Sequence, residues 1–196
     1  MRPDGRPSGP THSHRQGDHH RVFLALWPDP DAAMALHRVA QAAAGAFGGR
    51  AMRRDTLHLT LAFIGDVDTP TLARVRAAAG QVRGAVGPLC LDTLGFWRHN
   101  RIMWAGCRQP VFGLRVLADD LAAALADQGI KTDGGAGRPF TPHLTLVRNV
   151  VEASPELPDL APVAWSAREF VLVRSRLSSG GASYETIGRW PLSKAP

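Results

Sequence analysis

The most informative feature of the sequence is a tetrapeptide, His-Leu-Thr-Leu, that occurs twice, at residues 58–61 and 143–146. Histidine is uncommon, so an identical histidine-containing tetrapeptide in a chain of 196 residues requires an explanation. Each copy begins an apolar stretch of the kind that is typical of a buried β-strand. A fold with two similar halves, each contributing one such strand, accounts for the repeat.

Strand geometry predicts what each copy can do. Side chains alternate between the two faces of a strand, so His58 shares a face with Thr60, and His143 with Thr145. Residues two apart stand about 6–7 Å from each other, which lets an imidazole and a hydroxyl contact one tetrahedral anion. If the two strands lie side by side, two imidazoles and two hydroxyls converge on one cavity. The repeat therefore predicts a phosphate site.

The chemistry that such a site supports is acid/base displacement at phosphorus. A neutral imidazole can take a proton from the attacking water or hydroxyl while an imidazolium gives one to the leaving oxygen, each typically worth about 10²–10⁴-fold. Histidine serves in both states because its unperturbed pKa is about 6.5. A guanidinium would offset the negative charge of the transition state. Arg148 is the candidate, with a surface arginine at a strand end as the alternative interpretation.

Two other interpretations of the repeat stay open at this point. The two histidines could be core residues that bond to backbone carbonyls, although polar residues on one face of both copies argue against this. A metal site lacks support, because no His-x-His, His-x-x-x-His or His/carboxylate spacing surrounds either copy. The sequence also has no GxxxxGK(S/T) loop and no GxSxG elbow. We therefore predict neither a metal nor a cofactor.

The elements that must position these residues follow from hydrophobic periodicity and from Pro and Gly. Apolar runs predict strands at 22–27, 57–64, 89–97, 101–107, 143–147, 169–177 and 182–189. Helical spacing predicts helices at 31–47, 71–82 and 111–128. Residues 89–107 form a hairpin in this interpretation, and the final pair of strands flanks the turn at 178–181. The order predicts an α+β architecture with antiparallel sheets.

The N-terminal segment differs from the rest of the chain. Residues 1–20 combine Pro, Gly, Ser and four histidines with almost nothing to bury, which predicts a disordered leader before a single domain at 21–196. The histidine cluster could bind stray divalent metal but has no fixed scaffold. No apolar run reaches eighteen residues and no secretory h-region precedes residue 20, so we expect a cytoplasmic protein.

Composition narrows the partners only slightly. The formal net charge is +6, and Lys occurs only at Lys131 and Lys194, so the basicity is that of arginine. The arginine fork suits phosphate, which favours a polyanionic partner such as nucleic acid, but arginine spread over a solvated surface is an equal alternative. The two cysteines, Cys90 and Cys107, lie in apolar stretches and are predicted to be small core residues without a disulfide.

Several segments, taken in order, resemble the 2H phosphoesterases, a family named for two His-x-Thr/Ser-x motifs. The likeness is strongest to the bacterial and archaeal RNA 2',3'-cyclic phosphodiesterases, once called 2'-5' RNA ligases. It spans about residues 21–192 and rests on residues 21–26, 57–65, 101–106 and 138–148 and on the closing strands with Tyr184 and 190–192. The resemblance implies a bilobal fold of two pseudo-symmetric antiparallel sheets with outer helices and a central cleft.

The resemblance also implies an activity and roles for individual residues. The expected reaction is metal-independent hydrolysis of an RNA or nucleoside 2',3'-cyclic phosphate to a 2'-phosphate end. His58 would be the proton donor and His143 the proton acceptor, while Thr60 and Thr145 would bind the phosphate. Arg148 matches the basic residue that follows the second motif.

Other expectations from the resemblance concern the rim of the site and the alternatives. Phe23 and Phe140 flank the base or ribose in this interpretation, but either could be a core residue. Residues 53–56 lack the Pro-Glu-Asn that precedes the first motif in many members, and the loop before Arg138 is rich in glycine. The expected partner is RNA or a small cyclic nucleotide, with no membrane and a monomeric protein. Reversible 2'-5' RNA ligation, a non-catalytic RNA-end-binding module and an unrelated α+β domain remain as alternatives.

Overall fold

The computed structural model describes residues 19–133, 140–151, 157–178 and 181–193. Four segments named in the sequence analysis lie wholly or partly outside the described residues. They are the leader at 1–18, the glycine-rich loop at 134–137 with Arg138 after it, residues 179 and 180 of the last turn, and Lys194.

The described residues form ten strands, three α-helices and one 3₁₀ helix (Arg54–Thr56). The helices are α1 (Pro30–Phe47), α2 (Thr69–Gln81) and α3 (Phe112–Asp127). The strands are β1 (His20–Leu26), β2 (Arg50–Ala51), β3 (Leu59–Val67), β4 (Leu89–Leu91), β5 (Thr93–Trp97), β6 (Ile102–Gly106), β7 (Leu144–Arg148), β8 (Val163–Trp165), β9 (Glu169–Ser178) and β10 (Gly181–Pro191).

The main sheet consists of two antiparallel halves that meet in the middle. Its order is β10-β9-β1-β3-β7-β6-β5, and β2 pairs with the far end of β7. The first half is β10-β9-β1-β3 and the second is β2, β7, β6 and β5. Between β3 and β7 the paired residues are Leu59 and Leu144. The predicted α+β fold with two antiparallel sheets is confirmed, and the structure adds that the two sheets are hydrogen-bonded to each other at this point.

All three helices bury their apolar stripes against one face of this sheet. In α3 the stripe is Leu114, Leu117, Leu121 and Leu125, all fully buried, as the spacing of three and four predicts. Helix α1 begins at Asp29, whose side chain accepts a hydrogen bond from the Ala32 N–H at 2.9 Å. Alternate residues of β1 join the same core: Val22, Leu24 and Leu26. The opposite face of the sheet is therefore left for the candidate site.

The uncovered face of the first half carries a small aromatic cluster. Phe23 and Ala25 of β1 pack there with Val171 and Val173 of β9, and three partly buried aromatic residues border them: Trp27, Phe63 and Tyr184. Strand alternation produces this second cluster, because β1 is buried on both faces. Of the described helices, none is long and apolar enough to cross a bilayer.

The structure corrects the predicted elements at three places. The strand predicted at 89–97 is two strands, because the chain breaks at Asp92, whose carboxylate accepts the Arg108 N–H at 2.7 Å. Its first part, β4, pairs with β8, which is too short to show periodicity in the sequence. Strand β1 begins one residue inside the predicted leader, at His20, which pairs with Val67. Beyond the elements, Cys90 and Cys107 are free and half-buried rather than fully buried, and Cys107 packs against the main core.

Candidate active site

The two copies of the tetrapeptide meet at the junction between the halves of the sheet. Leu59 and Leu144 are paired residues, and both are fully buried on the helix-covered face. Because side chains alternate, the His and Thr that flank each leucine project from the opposite face. In this antiparallel register Thr60 is next to His143, and His58 is next to Thr145. The structure thus brings the four motif residues together, and each is half-buried.

The two histidines are held in the same way. Nδ1 of His58 lies 2.7 Å from the carbonyl oxygen of Thr56, and Nδ1 of His143 lies 2.9 Å from that of Thr141. A carbonyl can only accept, so each Nδ1 carries the proton and donates it. In its neutral form each ring therefore has a lone pair on Nε2, and each Nε2 is left to react.

The first histidine is packed among aromatic rings. The ring centroid of His58 lies 4.7 Å from that of Phe23, 5.2 Å from that of Tyr184 and 5.7 Å from that of Trp27. The Tyr184 and Trp27 rings stand edge-on to the imidazole. Trp27 is itself fixed by a hydrogen bond from Nε1 to Oγ1 of Thr186. These contacts hold the imidazole in place and take much of it out of water.

The second histidine has a different neighbour. His143 stands edge-on to Trp97 of β5, with 4.5 Å between ring centroids, and Trp97 contacts Trp104 at 5.5 Å. Trp104 lies flat over Gly95 of the neighbouring strand, where a Cβ would come within 2.0 Å of the indole. A glycine at 95 is therefore required for the tryptophan pair that packs beside His143.

The surroundings lower the pKa of both histidines, but not equally. Burial lowers the pKa of His58 from 6.5 to about 4, opposed by the hydrogen bond to Thr56 and assisted by the positive charges of Arg148 and His143. Burial also lowers the pKa of His143, again opposed by its backbone hydrogen bond and assisted by Arg148. At pH 7 His58 is therefore neutral in the unliganded protein, and the neutral form of His143 is favoured.

A cleft of about 320 Å³ opens beside the first motif. His58, Thr60 and Arg148 line this cleft, whereas His143 and Thr145 do not. Leu146 and Val147 are both fully buried, because the pairing of β7 with β6 shifts by one residue at this point. Alternation from Val147 then places Arg148 on the same face as the motif histidines and threonines, where it lines the cleft. The other lining residues are Arg21, Phe23, Arg50, Met52, Arg53, Thr56, Phe63, Ser175, Leu177, Ser178, Gly181, Ala182 and Tyr184.

The two phenylalanines singled out in the sequence occupy different places. Phe23 lines the cleft but is only 3% exposed, and its nearest ring is the His58 imidazole. Phe140 packs against the main core and is not part of the cleft lining. A contact of either residue with a base or ribose stays a prediction.

Sequence reasoning missed several residues of this site. It noted Tyr184 only as part of a matching segment and did not single out Trp27 or Trp97, although all three contact a motif histidine. It also missed Arg50 and Arg53, which line the cleft. The density of arginine in residues 50–54 was the available signal, but nothing in the sequence shows which way these side chains point.

An antiparallel sheet that presents two His-x-Thr strands side by side, with an arginine close by and no hydrogen-bond partner for either Nε2 among the described residues, defines the class of two-histidine phosphoesterases. Comparison with known sequences agrees with this class. Residues 27–178 match the 2'-5' RNA ligase superfamily, and the chain belongs to that family. The resemblance predicted from the two motifs is therefore confirmed.

Curated relatives share both the sequence and a common name. The RNA 2',3'-cyclic phosphodiesterase of Escherichia coli (strain K12) is 36% identical over 146 residues, which cover 74% of this chain and 81% of that protein. The protein of the same name from Geobacillus stearothermophilus is 30% identical over 186 residues, 89% of this chain and 58% of that protein. These names agree with the enzyme class that the motifs predict.

Solved structures show the same fold. The apo form of E. coli LigT superposes with a TM-score of 0.80 at 32% identity, covering 90% of this chain and 99% of that one. Its complex with 3'-AMP gives a TM-score of 0.81, also at 32% identity, covering 90% of this chain and 100% of that one. TT0787 of Thermus thermophilus gives a TM-score of 0.75 at 25% identity, covering 89% of this chain and 98% of that one.

Proposed function

We propose that this protein is an RNA 2',3'-cyclic phosphodiesterase that opens a terminal cyclic phosphate to leave a 2'-phosphate. The observation that carries the proposal is the pair of imidazoles, one on each side of the junction between β3 and β7, that share the same Nδ1 anchor and so keep the Nε2 lone pair for chemistry. The names of the curated relatives support the same substrate class.

The reaction assigns one proton transfer to each histidine. Nε2 of His143 takes a proton from a water molecule as the water oxygen attacks phosphorus. The bond between phosphorus and O3' breaks, and O3' takes the proton from Nε2 of His58. The product carries a 2'-phosphate and a 3'-hydroxyl, and a proton returned from His143 to His58 through solvent restores the starting state.

The low pKa of His58 constrains this assignment. In the unliganded protein His58 is neutral at pH 7, and a proton donor must be charged. A phosphodiester anion bound beside the ring favours the imidazolium, so binding of substrate raises the pKa of His58 and supplies the donor. Because burial still disfavours the charged ring, the imidazolium of His58 gives up its proton readily to the departing oxygen. The negative charge of the substrate also offsets the positive charge of Arg148, which disfavours the imidazolium of His58 in the unliganded protein.

The remaining features of the proposal are contacts to the phosphoryl oxygens by Thr60, Thr145 and Arg148. Thr60 and Arg148 line the cleft, and Thr145 is next to His58 in the register of the strands. A guanidinium donates two parallel hydrogen bonds to a phosphate and adds a positive charge. These groups hold the phosphorus between the two Nε2 atoms and stabilise the charge that develops on it.

The family match favours a second candidate reaction, 2'-5' ligation. In this reaction a 5'-hydroxyl of a second RNA replaces the water, gives its proton to His143 and attacks phosphorus, and O3' leaves with the proton of His58. A 2'-5' linkage forms. The groups are those of hydrolysis, so the concentration of RNA 5'-hydroxyl ends decides which reaction is observed.

The test is hydrolysis of an oligoribonucleotide with a 2',3'-cyclic phosphate end in the presence of EDTA, with the position of the product phosphate determined by ³¹P NMR. We expect a 2'-phosphate from the wild type and none from the doubly substituted His58→Gln/His143→Gln protein. His37→Gln is the matched control, because Nδ1 of His37 is also anchored to a carbonyl, that of Met52 at 2.9 Å, but lies on α1.

Three outcomes would count against the proposal. A 3'-phosphate product would mean that a different bond is broken. Product formation by the doubly substituted protein would place the activity outside the two motifs. A folded wild type that binds the RNA end without turnover would leave a binding module in its place.

A further inference from the structure

Two arginines of the cleft face each other across a strand pair. Arg50 of β2 and Arg148 of β7 are paired residues, and both line the cleft. Side chains directly opposite each other in an antiparallel pair are neighbours, and like charges in this position repel. This placement is unfavourable in the unliganded protein, and an anion bound beside either guanidinium offsets it.

The carboxylates around the cleft do not neutralise this pair. Of the four cleft arginines, Arg21 forms an ion pair with Asp66 at 3.3 Å and Arg53 forms one with Asp55 at 3.1 Å. In the part of the chain that the structure describes, no carboxylate lies within 4.0 Å of Arg50 or Arg148. The cleft thus holds two positive charges that a substrate can satisfy.

The two guanidiniums serve different parts of the cleft. Arg148 lies close enough to the motifs for its charge to act on both His58 and His143. Arg50 is exposed and reaches across the cleft to β10, where Nη1 would lie 3.0 Å from a Cβ on Gly181. Beside it, Nη2 of Arg53 donates to the carbonyl of Ala182 at 3.4 Å. Arg50 therefore belongs to the outer wall of the cleft, away from the reacting group.

Resting on the function proposed above, we propose that Arg50 binds a second phosphate of the substrate, while Arg148 serves the cyclic phosphate that reacts. In an RNA end this second phosphate is the 5'-phosphate of the terminal nucleotide, either free or as the phosphodiester to the preceding nucleotide. A forked guanidinium suits both forms. The protein then prefers RNA ends and 5'-phosphorylated cyclic nucleotides to cyclic nucleoside monophosphates.

The test compares three substrates that differ in the second phosphate. They are adenosine 2',3'-cyclic phosphate, the same compound with a 5'-phosphate, and the dinucleotide ApA with a 2',3'-cyclic phosphate. The wild type should show a kcat/KM about tenfold or more higher for the last two. Arg50→Met should lower that ratio about tenfold, mainly through KM, as expected for the loss of a charged hydrogen-bonding partner. Arg54→Met, a neighbouring exposed arginine outside the cleft lining, should leave the ratio unchanged.

Two further readouts identify the phosphate contact. Loss of one phosphate contact should make the slope of log(kcat/KM) against log[salt] shallower by about 0.7 for the dinucleotide. An equal gain from the 5'-phosphate and from the dinucleotide means that the phosphate suffices, and a gain from the dinucleotide alone means that Arg50 requires the phosphodiester. An equal loss for all three substrates in Arg50→Met, or no loss at all, would overturn the inference.

Binding of products separates this inference from the proposed function. Calorimetric titration with adenosine 2'-phosphate and with ApA carrying a 2'-phosphate requires no turnover. If Arg50→Met weakens binding of the dinucleotide but not of adenosine 2'-phosphate, the site for a second phosphate is supported even where hydrolysis fails. If it weakens both equally or neither, the inference fails even where hydrolysis succeeds.

Discussion

The two motifs have identical sequences and identical anchors but different neighbours. His58 and His143 each donate Nδ1–H to the carbonyl two residues earlier. Three aromatic rings surround His58: Phe23 of β1, Trp27 just after β1, and Tyr184 of β10. His143 contacts the ring of Trp97 of β5 instead. The anchor is local and repeats with the sequence. The packing comes from the rest of each half and does not repeat.

This difference sets the protonation of the two rings. The local hydrogen bond fixes which nitrogen is left to react, and it is the same in both copies. Burial fixes how easily the ring becomes charged, and the pKa of His58 falls to about 4. The surroundings alone make His58 the harder of the two rings to charge, so the proposed roles require bound substrate to place the proton on His58.

Substitution of either histidine should have the largest effect on activity and tests whether both motifs take part in the reaction. We expect His58→Gln and His143→Gln each to lower kcat about 10²–10⁴-fold, because each removes one proton transfer. The double variant should lose less than the product of the two losses, since both groups act in one step. Circular dichroism and thermal melting should show folded proteins. A loss below tenfold in either single variant would exclude an acid/base role for that histidine.

The pH dependence of kcat/KM tests whether the pKa values of the two histidines are low. In the proposed mechanism the productive form of the free protein carries one proton on the pair of imidazoles, and burial lowers the pKa of both rings below 6.5. Above about pH 6.5, kcat/KM should fall about tenfold per pH unit, because the fraction that carries this proton falls by that factor. The profile of kcat should extend to higher pH, since bound substrate raises the pKa of His58. A kcat/KM that stays level between pH 6.5 and 8 would contradict the low pKa values.

The same asymmetry should appear in stability. His58 titrates near pH 4 in the folded protein and near 6.5 when unfolded, so between these values the unfolded chain binds more protons. The free energy of unfolding should therefore fall as the pH is lowered from about 6.5 to 4, by at most roughly 3 kcal/mol from this residue. His58→Gln should remove more of this dependence than His143→Gln. Urea unfolding at a series of pH values measures the difference, and equal slopes would show that the two sites are equally buried.

The threonines give the smallest expected effect. Thr60→Val keeps the shape of the side chain and removes a hydrogen bond to an anion, which should lower kcat/KM about tenfold. Thr145→Val should lower it less, because Thr60 lines the cleft and Thr145 does not. Steady-state assays of both variants decide this, and a larger loss for Thr145→Val would mean that the phosphate lies nearer the second half.

The sequence allowed much of this site to be predicted, for a physical reason. Strand alternation is a local rule, so it placed the histidines and threonines opposite the leucines without knowledge of the fold. The long apolar periodicity of α1 and α3 was equally readable. Convergence of the two strands was inferred from the repeat itself, and the pairing of Leu59 with Leu144 agrees with it.

The parts of the site that could not be predicted depend on contacts between residues far apart in the chain. Tyr184 lies 126 positions after His58, and no local pattern links their rings. Arg50 and Arg148 become neighbours only through the two-residue strand β2, which is too short to recognise. The break at Asp92 was missed because the predicted strand ran through this single aspartate, whose carboxylate accepts the Arg108 N–H in the structure. Each of these features depends on a tertiary contact that the local sequence does not show.

The division of roles between the two histidines is tested most directly with a substrate that needs no proton donor. In a 2',3'-cyclic phosphate with sulfur in place of O3', the leaving thiolate departs without protonation. His58→Gln should then approach the wild-type rate on this substrate, while His143→Gln should remain as slow as on the oxygen compound. Rescue of His143→Gln in place of His58→Gln would reverse the assignment and contradict the proposed division of roles.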